Sequence, residues 1–352
     1  MITKPTTSHS ESIIASKTNM DPVVVCACDD AYVMPLAVTL LSAAESLRLG
    51  SHLQILIMDG GVSDENKAML KETLADHPIT ISWLLFDAGQ LETFSVSHHV
   101  SHTAYYRLLL SDVLPSSIKK VIYLDSDLLV KGDLLELWER PMGDHALLAV
   151  PDVACPYLDA RISMNNFRRS HPYLASWKPV PNYLELGMNE NAEYFNSGVM
   201  VIDLQKWRDK NLSEKLVHCM DVNQEHIWCW DQYALNVVLH GQWEALPLQW
   251  NMGSHAFEFP STEHSPVDKS AFELMINHPK VVHFTTEWKP WHFGIQHPYR
   301  SDFFQILDRT AWKDWRPKRP PFDWKRSWEQ LMAGSIKRGR IAYLKMKSAW
   351  AS

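Results

Sequence analysis

Cysteine is scarce in this sequence, and long apolar runs are missing. The 352 residues include five cysteines and no C-x-x-C pair, which argues against a disulfide framework or a zinc module and indicates a reducing compartment. No stretch is long and apolar enough to cross a bilayer. Residues 1–20 are rich in serine and threonine and have no apolar core segment, so we predict a disordered leader rather than a signal peptide. We therefore expect a cytoplasmic protein.

Charge is distributed unevenly along the chain. The formal net charge is −7, yet residues 313–347 hold 11 basic and 3 acidic residues, a balance of +8 that leaves −15 for the rest. This segment belongs to a predicted basic, tryptophan-containing C-terminal extension, residues 296–352. Cationic side chains with tryptophan suit an anionic membrane surface and predict peripheral contact with the inner face of a membrane. A solvated charged tail explains the pattern equally well. No recognised nucleic-acid module accompanies the extension, so we expect no nucleic-acid partner.

The first part of the chain alternates between strand-like and helix-like segments. Apolar runs indicate buried strands, and the segments between them have the apolar spacing of helices. This order predicts an α/β fold with a mostly parallel, Rossmann-like sheet flanked by helices and right-handed crossovers. Residues 154–191 have weak periodicity and many prolines and aromatic residues, which is typical of a binding loop or lid. The predicted strands are residues 22–28, 53–58, 79–86, 121–124, 146–150, 197–204 and 281–284, and the predicted helices include residues 32–47, 101–110 and 231–239.

Residues 121–124 are apolar at every position and run directly into two acids, Asp125 and Asp127. Such a strand is buried on both faces, and parallel sheets bind ligands just beyond the carboxyl ends of their strands. Two carboxylates there repel each other unless a cation lies between them. Oxygen ligands in an open site favour Mg²⁺ or Mn²⁺, with substrate phosphates completing the coordination. For this triplet taken alone, an acid that caps a turn is the alternative.

Six segments follow one another along the chain: V-C-A-C-D-D at 25–30, A-Y-Y-R-L at 104–108, Y-L-D-S-D at 123–127, Y-F-N-S-G-V at 194–199, D-Q at 231–232, and H-F followed by K-P-W-H within 283–292. In this order they resemble glycosyltransferase family 8, the retaining enzymes of the lipooligosaccharide galactosyltransferase and glycogenin type. The resemblance extends over about residues 22–295. It implies a GT-A catalytic domain at residues 21–295, a UDP-hexose donor, a divalent cation that is usually Mn²⁺, and retention at the anomeric carbon.

The resemblance assigns three metal ligands. Asp125 and Asp127 would hold the metal that bridges the two phosphates of the donor, and His283 would be the third protein ligand. Imidazole with two carboxylates suits Mn²⁺, and the metal would neutralise the negative charge that develops on the leaving UDP. Without the resemblance, His283 would be interpreted as a core residue, because Val282 and Phe284 flank it.

The resemblance also assigns residues that bind the nucleotide. Lys289 would reach a diphosphate oxygen as a point charge, Ala27 would support the uracil, and Asp29 and Ser126 would contact the nucleotide. A solvated lysine is the alternative for Lys289, and an acid that caps the following helix is the alternative for Asp29. Ala31 stands where the family often has asparagine, which removes one nucleotide hydrogen bond of the family pattern.

Four further residues are assigned to the donor sugar. Arg107 would lie against the sugar and the acidic site, with structural ion pairing as the alternative. Asn196 and Asp231 would hold sugar hydroxyls, and Gln232 would face the β side of the anomeric carbon. Because a neutral amide is a poor nucleophile, we favour front-face substitution through a short-lived oxocarbenium–UDP ion pair over double displacement. Gln232 would then stabilise the cation through its carbonyl dipole.

The acceptor side is less defined. We expect residues 154–191 to form an acceptor-side insertion or lid, and the resemblance places His99 near the acceptor pocket. His98 and His102 are four residues apart, but they precede or open a predicted helix, so they do not predict a metal site. Thr286 replaces a glycine that is common in relatives.

Three functions are compatible with these features. The leading one is a retaining, metal-dependent hexosyltransferase that moves galactose or glucose from a UDP-sugar to a glycan or lipid-linked saccharide, as in lipopolysaccharide biosynthesis, and forms an α-linkage. A sugar-nucleotide pyrophosphorylase shares the early α/β pattern but requires a glycine-rich basic loop after the first strand, and residues 29–32 are not one. A non-catalytic sugar-nucleotide-binding protein with a decayed site would lack a metal ligand or the lysine, whereas Asp125, Asp127, His283 and Lys289 are all present.

Overall fold

The computed structural model describes residues 21–94, 101–174 and 176–319, together with the single positions 335, 339, 342 and 343. The predicted leader, residues 1–20, lies outside the described residues, and so does His99. Of the predicted basic extension, the part beyond residue 319 is also outside them, except for the four single positions. Within the described part of the chain, no helix combines the length and apolarity that a membrane span requires.

Ten strands and eleven α-helices occur in the described residues. The strands are β1 (Val23–Cys28), β2 (Leu53–Asp59), β3 (Ile79–Leu84), β4 (Lys120–Leu124), β5 (Leu128–Val130), β6 (Leu147–Pro151), β7 (Phe195–Asp203), β8 (Trp243–Ala245), β9 (Met252–Gly253) and β10 (Val281–His283). The helices are α1 (Val33–Glu45), α2 (Asp64–Thr73), α3 (Leu110–Val113), α4 (Leu135–Trp138), α5 (Ala160–Ser163), α6 (Phe167–Ser170), α7 (Leu204–Asp209), α8 (Leu212–Val222), α9 (Trp230–Val238), α10 (Lys269–Asn277) and α11 (Arg300–Leu307).

A seven-stranded sheet in the order β3-β2-β1-β4-β7-β6-β8 forms the centre of the fold. Strands β1 to β4 pair in parallel, which confirms the predicted α/β fold with a mostly parallel sheet. Strand β7 pairs antiparallel with both β4 and β6, and β6 pairs in parallel with β8. Strand β6 therefore runs in the same direction as β1 and β4. The carboxyl ends of these three strands lie at one edge of the sheet, together with the amino end of β7.

The central strands of the sheet are buried on both faces. Alternate residues of β1 point to opposite sides, so that Val24 and Cys26 pack in one hydrophobic core and Val25 and Ala27 in the other. Strand β4 divides in the same way. Two covered faces explain why these strands are apolar at every position rather than at every second one. Burial raises the pKa of the Cys26 thiol, as expected for a cysteine that serves as a small core residue.

A second sheet has three strands in the order β5-β10-β9. Strand β10 pairs antiparallel with β5, with His283 opposite Leu128. The backbone N–H of Phe284 also donates to the carbonyl oxygen of Asp127 over 3.1 Å. The chain thus passes from the large sheet to the small sheet within residues 125–127, and β10 brings a distant part of the chain beside that passage.

Residues 101–110, predicted as one helix, form a 3₁₀ helix at His102–Leu109 that continues into α3. In a 3₁₀ helix, side chains three residues apart eclipse each other. Arg107 donates from Nε to the carbonyl oxygen of Ala104 over 3.0 Å, which is compatible with this spacing. The residues of the predicted insertion at 154–191 include α5, α6 and a 3₁₀ helix at His171–Tyr173. Further 3₁₀ helices lie at Gly89–Leu91, Gln224–His226, Leu248–Asn251, Ser254–Glu258 and Thr262–His264.

Candidate functional site

Contacts from three other elements fix the acidic segment between β4 and β5. The backbone N–H of Asp125 donates to the carbonyl oxygen of Gly198 on β7 over 2.9 Å. The hydroxyl of Ser126 donates to the carbonyl oxygen of Ala27 on β1 over 2.8 Å, and the hydroxyl of Thr39 on α1 donates to the carbonyl oxygen of Ser126 over 3.1 Å. These buried hydrogen bonds hold the two flanking carboxylates at the edge of the sheet.

His283, Asp125 and Asp127 form one cluster. The Nε2 atom of His283 lies 3.2 Å from Asp127 Oδ1 and 3.6 Å from Asp125 Oδ2. One ligand atom from each of the three residues lies within 4.8 Å of the other two. Two carboxylates and an imidazole are a donor set that suits Mn²⁺ or Mg²⁺.

Gly198 makes room for this cluster. A Cβ atom at this position would lie 2.2 Å from His283 Cε1 and 2.8 Å from Asp125 Oδ2. Any larger residue would therefore push β7 or the ligands away from each other. The close approach of the β7 backbone supports the interpretation of the cluster as a metal site, because the side chains of His283 and Asp125 pack against this backbone and have little freedom.

Lys289 pairs with one of the two acids. Its Nζ lies 2.5 Å from Asp127 Oδ2 and also donates to the carbonyl oxygen of Phe284. The lysine is buried, with 4% of its surface exposed. Burial alone would raise the pKa of Asp127, but the charges of Lys289 and His283 outweigh it and hold that pKa well below its usual range.

Arg107 holds the other acid. Its Nη2 lies 2.7 Å from Asp125 Oδ1, its Nε lies 3.1 Å from Asp231 Oδ2, and its Nη1 donates to the carbonyl oxygen of Ser197 over 2.8 Å. The guanidinium carbon also lies 4.5 Å from the ring centre of Tyr123. Burial raises the pKa of Asp231 to about 6, and Arg107 opposes this shift. The ion pairs that were the alternative for Arg107 are present, within the site itself.

Asp152, which was not predicted, connects two of the residues assigned to the sugar. It follows β6, and its Oδ2 accepts from Asn196 Nδ2 over 3.2 Å and from Gln232 Nε2 over 3.1 Å. The carbonyl Oε1 of Gln232 accepts from the backbone N–H of Ser197 over 3.1 Å. Gln232 is thus held at both ends of its amide.

Asn251, which was also not predicted, connects Asn196 to the histidine. Its Nδ2 donates to Asn196 Oδ1 over 2.8 Å, and its Oδ1 lies 2.8 Å from His283 Nδ1. Neither Asp152 nor Asn251 belongs to a segment that carries the family resemblance. For Asp152 a signal existed, because it follows a predicted strand just as Asp125 does.

These side chains line one cleft with a volume of about 310 Å³, within the range of small-ligand pockets. Asp29 is not among the lining residues. Its Oδ1 accepts the backbone N–H groups of Ala31 and Tyr32, each over 3.1 Å, in the turn that leads into α1, whereas the cap residue of α1 is Tyr32 and not Asp29 as in the helix-capping alternative. The lining residues that were predicted are Ala27, Arg107, Asp125, Ser126, Asp127, Asn196, Asp231, Gln232, His283 and Lys289. Those that were not include Tyr32, Thr103, Tyr123, Asp152, Cys155, Ser197, Cys229, Trp230, Asn251 and His255.

An α/β sheet with an Asp-x-Asp segment and a histidine in a polar cleft is the arrangement of glycosyltransferases with the GT-A fold. The structural comparison gives the same fold. The crystal structure of the galactosyltransferase LgtC in complex with donor and acceptor sugar analogs matches with a TM-score of 0.67 and 22% sequence identity, over 86% of this chain and 99% of that one. The comparison thus confirms the predicted GT-A fold.

The sequence model of glycosyl transferase family 8 matches residues 23–294, and the chain belongs to this family. General stress protein A of Bacillus subtilis (strain 168) is 29% identical over 293 residues, which are 82% of this chain and 94% of that protein. Lipopolysaccharide 1,2-glucosyltransferase of Escherichia coli (strain K12) is 27% identical over 241 residues, 68% of this chain and 64% of that protein. The chain is therefore a glycosyltransferase, as the resemblance implied.

Proposed function

We propose that this glycosyltransferase is a retaining hexosyltransferase that uses a divalent cation. It would move galactose or glucose from a UDP-sugar to a glycan or lipid-linked saccharide and form an α-linkage. The observation that carries the proposal is the cluster of Asp125, Asp127 and His283 beside Lys289 in the cleft. Two comparisons support the substrate class: one relative is named a lipopolysaccharide glucosyltransferase, and one similar structure is a galactosyltransferase with sugar analogs.

The three clustered residues would bind Mn²⁺ or Mg²⁺. When bound, the cation would neutralise the negative charge that develops on UDP as the glycosidic bond breaks. Arg107 Nη2 lies 2.7 Å from Asp125 Oδ1, so the other oxygen of Asp125, Oδ2, stays directed at His283. Lys289 would release Asp127 and bind a diphosphate oxygen, because a bound cation would then supply the positive charge beside Asp127.

The nucleotide would lie over the ends of β1 and β4. Ala27 lines the cleft and would support the uracil, and the hydroxyl of Ser126 already fixes the Ala27 carbonyl over 2.8 Å. Asp29 uses only Oδ1 for its turn, which leaves Oδ2 for the nucleotide. These roles follow from the family resemblance and from the positions of the residues at one edge of the sheet.

The donor sugar would lie between Arg107, Asn196, Asp231 and Gln232, which all line the cleft. Gln232 carries no charge, and its Oε1 already accepts the backbone N–H of Ser197 over 3.1 Å and the Ser197 hydroxyl over 3.5 Å, which makes the amide oxygen a poor nucleophile. This supports front-face substitution over attack by a covalent nucleophile. A departing phosphate oxygen would take the proton of the acceptor hydroxyl. If Gln232→Ala kept nearly full turnover, this role for Gln232 would be wrong.

Release of UDP tests the proposal. Purified protein is offered UDP-galactose, UDP-glucose and other UDP-sugars with Mn²⁺, Mg²⁺ or a chelator, and UDP is measured. We expect cation-dependent release from at least one UDP-hexose and its loss in Asp127→Asn. The matched control is Asp76→Asn, at an exposed position. UDP binding without release would favour the non-catalytic alternative, and release of pyrophosphate from UTP and a sugar phosphate would favour the pyrophosphorylase.

The acceptor side stays a proposal. Residues 154–191 contribute Ala154 and Cys155 to the cleft, which is compatible with an acceptor-side insertion. Peripheral membrane contact of the extension and the contribution of His99 remain predictions, because both rest on residues outside the described part of the chain.

A further inference from the structure

We propose that Asp152 is a positioning residue that orients the imidazole of His283 for cation binding. It acts through a chain of hydrogen bonds that we call the amide relay: Asp152, Asn196, Asn251 and His283. The inference rests on the proposed function, in which His283 binds the divalent cation. It assigns a role to a carboxylate in the cleft that is not one of the three proposed cation ligands and does not belong to a recognised motif.

The relay starts from a group whose polarity is fixed. An ionised carboxylate only accepts hydrogen bonds, whereas an amide side chain donates from one end and accepts at the other. Asp152 Oδ2 lies 3.2 Å from the amide of Asn196, so Asn196 must turn its NH₂ group toward Asp152. Its Oδ1 then points the other way, where it accepts the backbone N–H of Gly198 over 3.0 Å and Asn251 Nδ2 over 2.8 Å.

The same polarity continues to the imidazole. Because Asn251 donates from its NH₂ group to Asn196, its carbonyl oxygen is the end that faces His283, and it lies 2.8 Å from Nδ1. A carbonyl oxygen can only accept there, so Nδ1 must carry a proton. The lone pair of neutral His283 is then on Nε2, the atom that faces Asp125 and Asp127. A cation ligand needs this tautomer, and its partner on the other nitrogen fixes it.

Asp152 is itself held in place. Its Oδ1 accepts the backbone N–H of Ala154 over 2.9 Å, and its backbone N–H donates to the carbonyl oxygen of Tyr194 over 2.8 Å. A second donor, Gln232 Nε2, binds the same Oδ2 as Asn196 over 3.1 Å. The carboxylate thus accepts three hydrogen bonds at two oxygens, and one charge sets the orientation of two amides, those of Asn196 and Gln232.

Asparagine at position 152 cannot satisfy this arrangement. If its oxygen faces Asn196 and Gln232, its NH₂ group faces the N–H of Ala154, and two donors meet. If its oxygen faces Ala154, the amide of Asn196 must turn over, and its NH₂ group then meets the N–H of Gly198. In that second state Asn251 also turns, and an NH₂ group faces His283 Nδ1, which moves the imidazole proton to Nε2 and blocks the cation position.

We therefore expect Asp152→Asn to weaken binding of Mn²⁺ alone by about 10- to 100-fold, as for other residues that orient a metal ligand. Calorimetric titration of the full-length protein with Mn²⁺, without nucleotide or sugar, measures this. The matched control is Asp203→Asn, the same substitution at the opposite end of β7, where the side chain caps α7 and asparagine is an equally good cap. This variant should bind Mn²⁺ like the wild type.

A second variant separates orientation from a structural role. Asn251→Asp places a carboxylate beside His283 that accepts from Nδ1–H whatever the state of Asn196. The double variant Asp152→Asn, Asn251→Asp should therefore regain Mn²⁺ affinity relative to Asp152→Asn. In protein labelled with ¹⁵N-histidine and saturated with Mg²⁺, the His283 Nδ1–H signal should be present in the wild type and the double variant and weakened in Asp152→Asn, with His283→Gln to assign it.

The outcomes distinguish this inference from the proposed function. If the wild type binds neither Mn²⁺ nor Mg²⁺, the proposed cation site fails, and the relay fails with it. If the wild type binds Mn²⁺ and Asp152→Asn binds it equally well with an unchanged Nδ1–H signal, the relay alone is wrong. If the double variant binds no better than Asp152→Asn, the loss comes from local disruption and not from orientation of His283, which also overturns the inference.

Discussion

Replacing Lys289 by methionine removes the positive charge that faces Asp127. The two side chains are of similar length, so the substitution changes charge more than volume. The lysine Nζ lies 2.5 Å from Asp127 Oδ2 and is almost fully buried. Removing one partner of a buried ion pair costs about 3–5 kcal/mol, because it leaves an uncompensated buried charge. We expect Lys289→Met without a divalent cation to lose about that much of its free energy of unfolding.

The loss should depend on the cation. In Lys289→Met, a cation bound by Asp125, Asp127 and His283 would replace the missing positive charge. It would also bind Asp127 without competition from a lysine. Mn²⁺ should therefore stabilise Lys289→Met more than the wild type. A ligand present at 100 times its dissociation constant stabilises the folded state by about 2.7 kcal/mol, so most of the loss is recoverable. UDP should add less stability to the variant, because Lys289 is its proposed diphosphate contact.

Urea unfolding at pH 7, with and without Mn²⁺, measures these differences. The control is Lys269→Met, because Lys269 is 71% exposed and lies 3.8 Å from Glu273; exposed pairs of this kind contribute about 0.2–1 kcal/mol at most. The control should lose little stability and respond to Mn²⁺ like the wild type. Equal stability of Lys289→Met and the wild type without cation would refute the reasoning, and so would equal stabilisation of both by Mn²⁺.

Three further predictions follow from the site and its surroundings. Gly198→Ala should abolish Mn²⁺ binding in a calorimetric titration, because the added Cβ would lie 2.2 Å from His283 Cε1; wild-type affinity would contradict this. Arg107→Lys should lower the free energy of unfolding by about 1–3 kcal/mol for each partner left unsatisfied, because one ammonium group cannot reach Asp125, Asp231 and the carbonyl oxygen of Ser197 together. An unchanged urea unfolding curve would contradict this prediction. Burial lowers the pKa of His297 to about 4, so the neutral imidazole contributes stability in full above about pH 6.5, and this stability is lost as the pH falls toward 4. His297→Gln should make the free energy of unfolding depend less on pH between about 6.5 and 4. An equally steep pH dependence in this variant would contradict the prediction.

The centre of the sheet was predictable because β1 and residues 121–124 of β4 are apolar at every position, a pattern that burial on both faces requires. The direction of β7 was not, since an apolar run reads the same in a parallel and an antiparallel strand. The pairing of β10 with β5 was equally hidden, because β-pairing between distant segments leaves no local pattern. For His283 the sequence alone favoured a core residue, and only the family resemblance indicated a ligand.

Within the candidate site, the position of the two acids at the carboxyl end of β4 followed from general physics, and the family resemblance added their role as metal ligands. The amide relay followed from neither. Asp152 could have been found by the reasoning applied to Asp125, since both follow predicted strands and β6 runs parallel to β4. Asn251 could not, because a lone asparagine at the end of the 3₁₀ helix at Leu248–Asn251 resembles any other polar turn residue. Its role depends on which atoms face it, and that is a property of the folded chain.

The chain leaves the seven-stranded sheet at Asp125 and enters the three-stranded sheet after Asp127. Asp125 is therefore anchored to one sheet, and Asp127 and His283 to the other. An ion held by all three would add a further link between the two sheets, beside the backbone of residues 125–127 and the hydrogen bonds of the amide relay. Opening of the smaller sheet away from the larger one should then be slower in the ion-bound protein, and hydrogen exchange in β9 and β10 should report that opening.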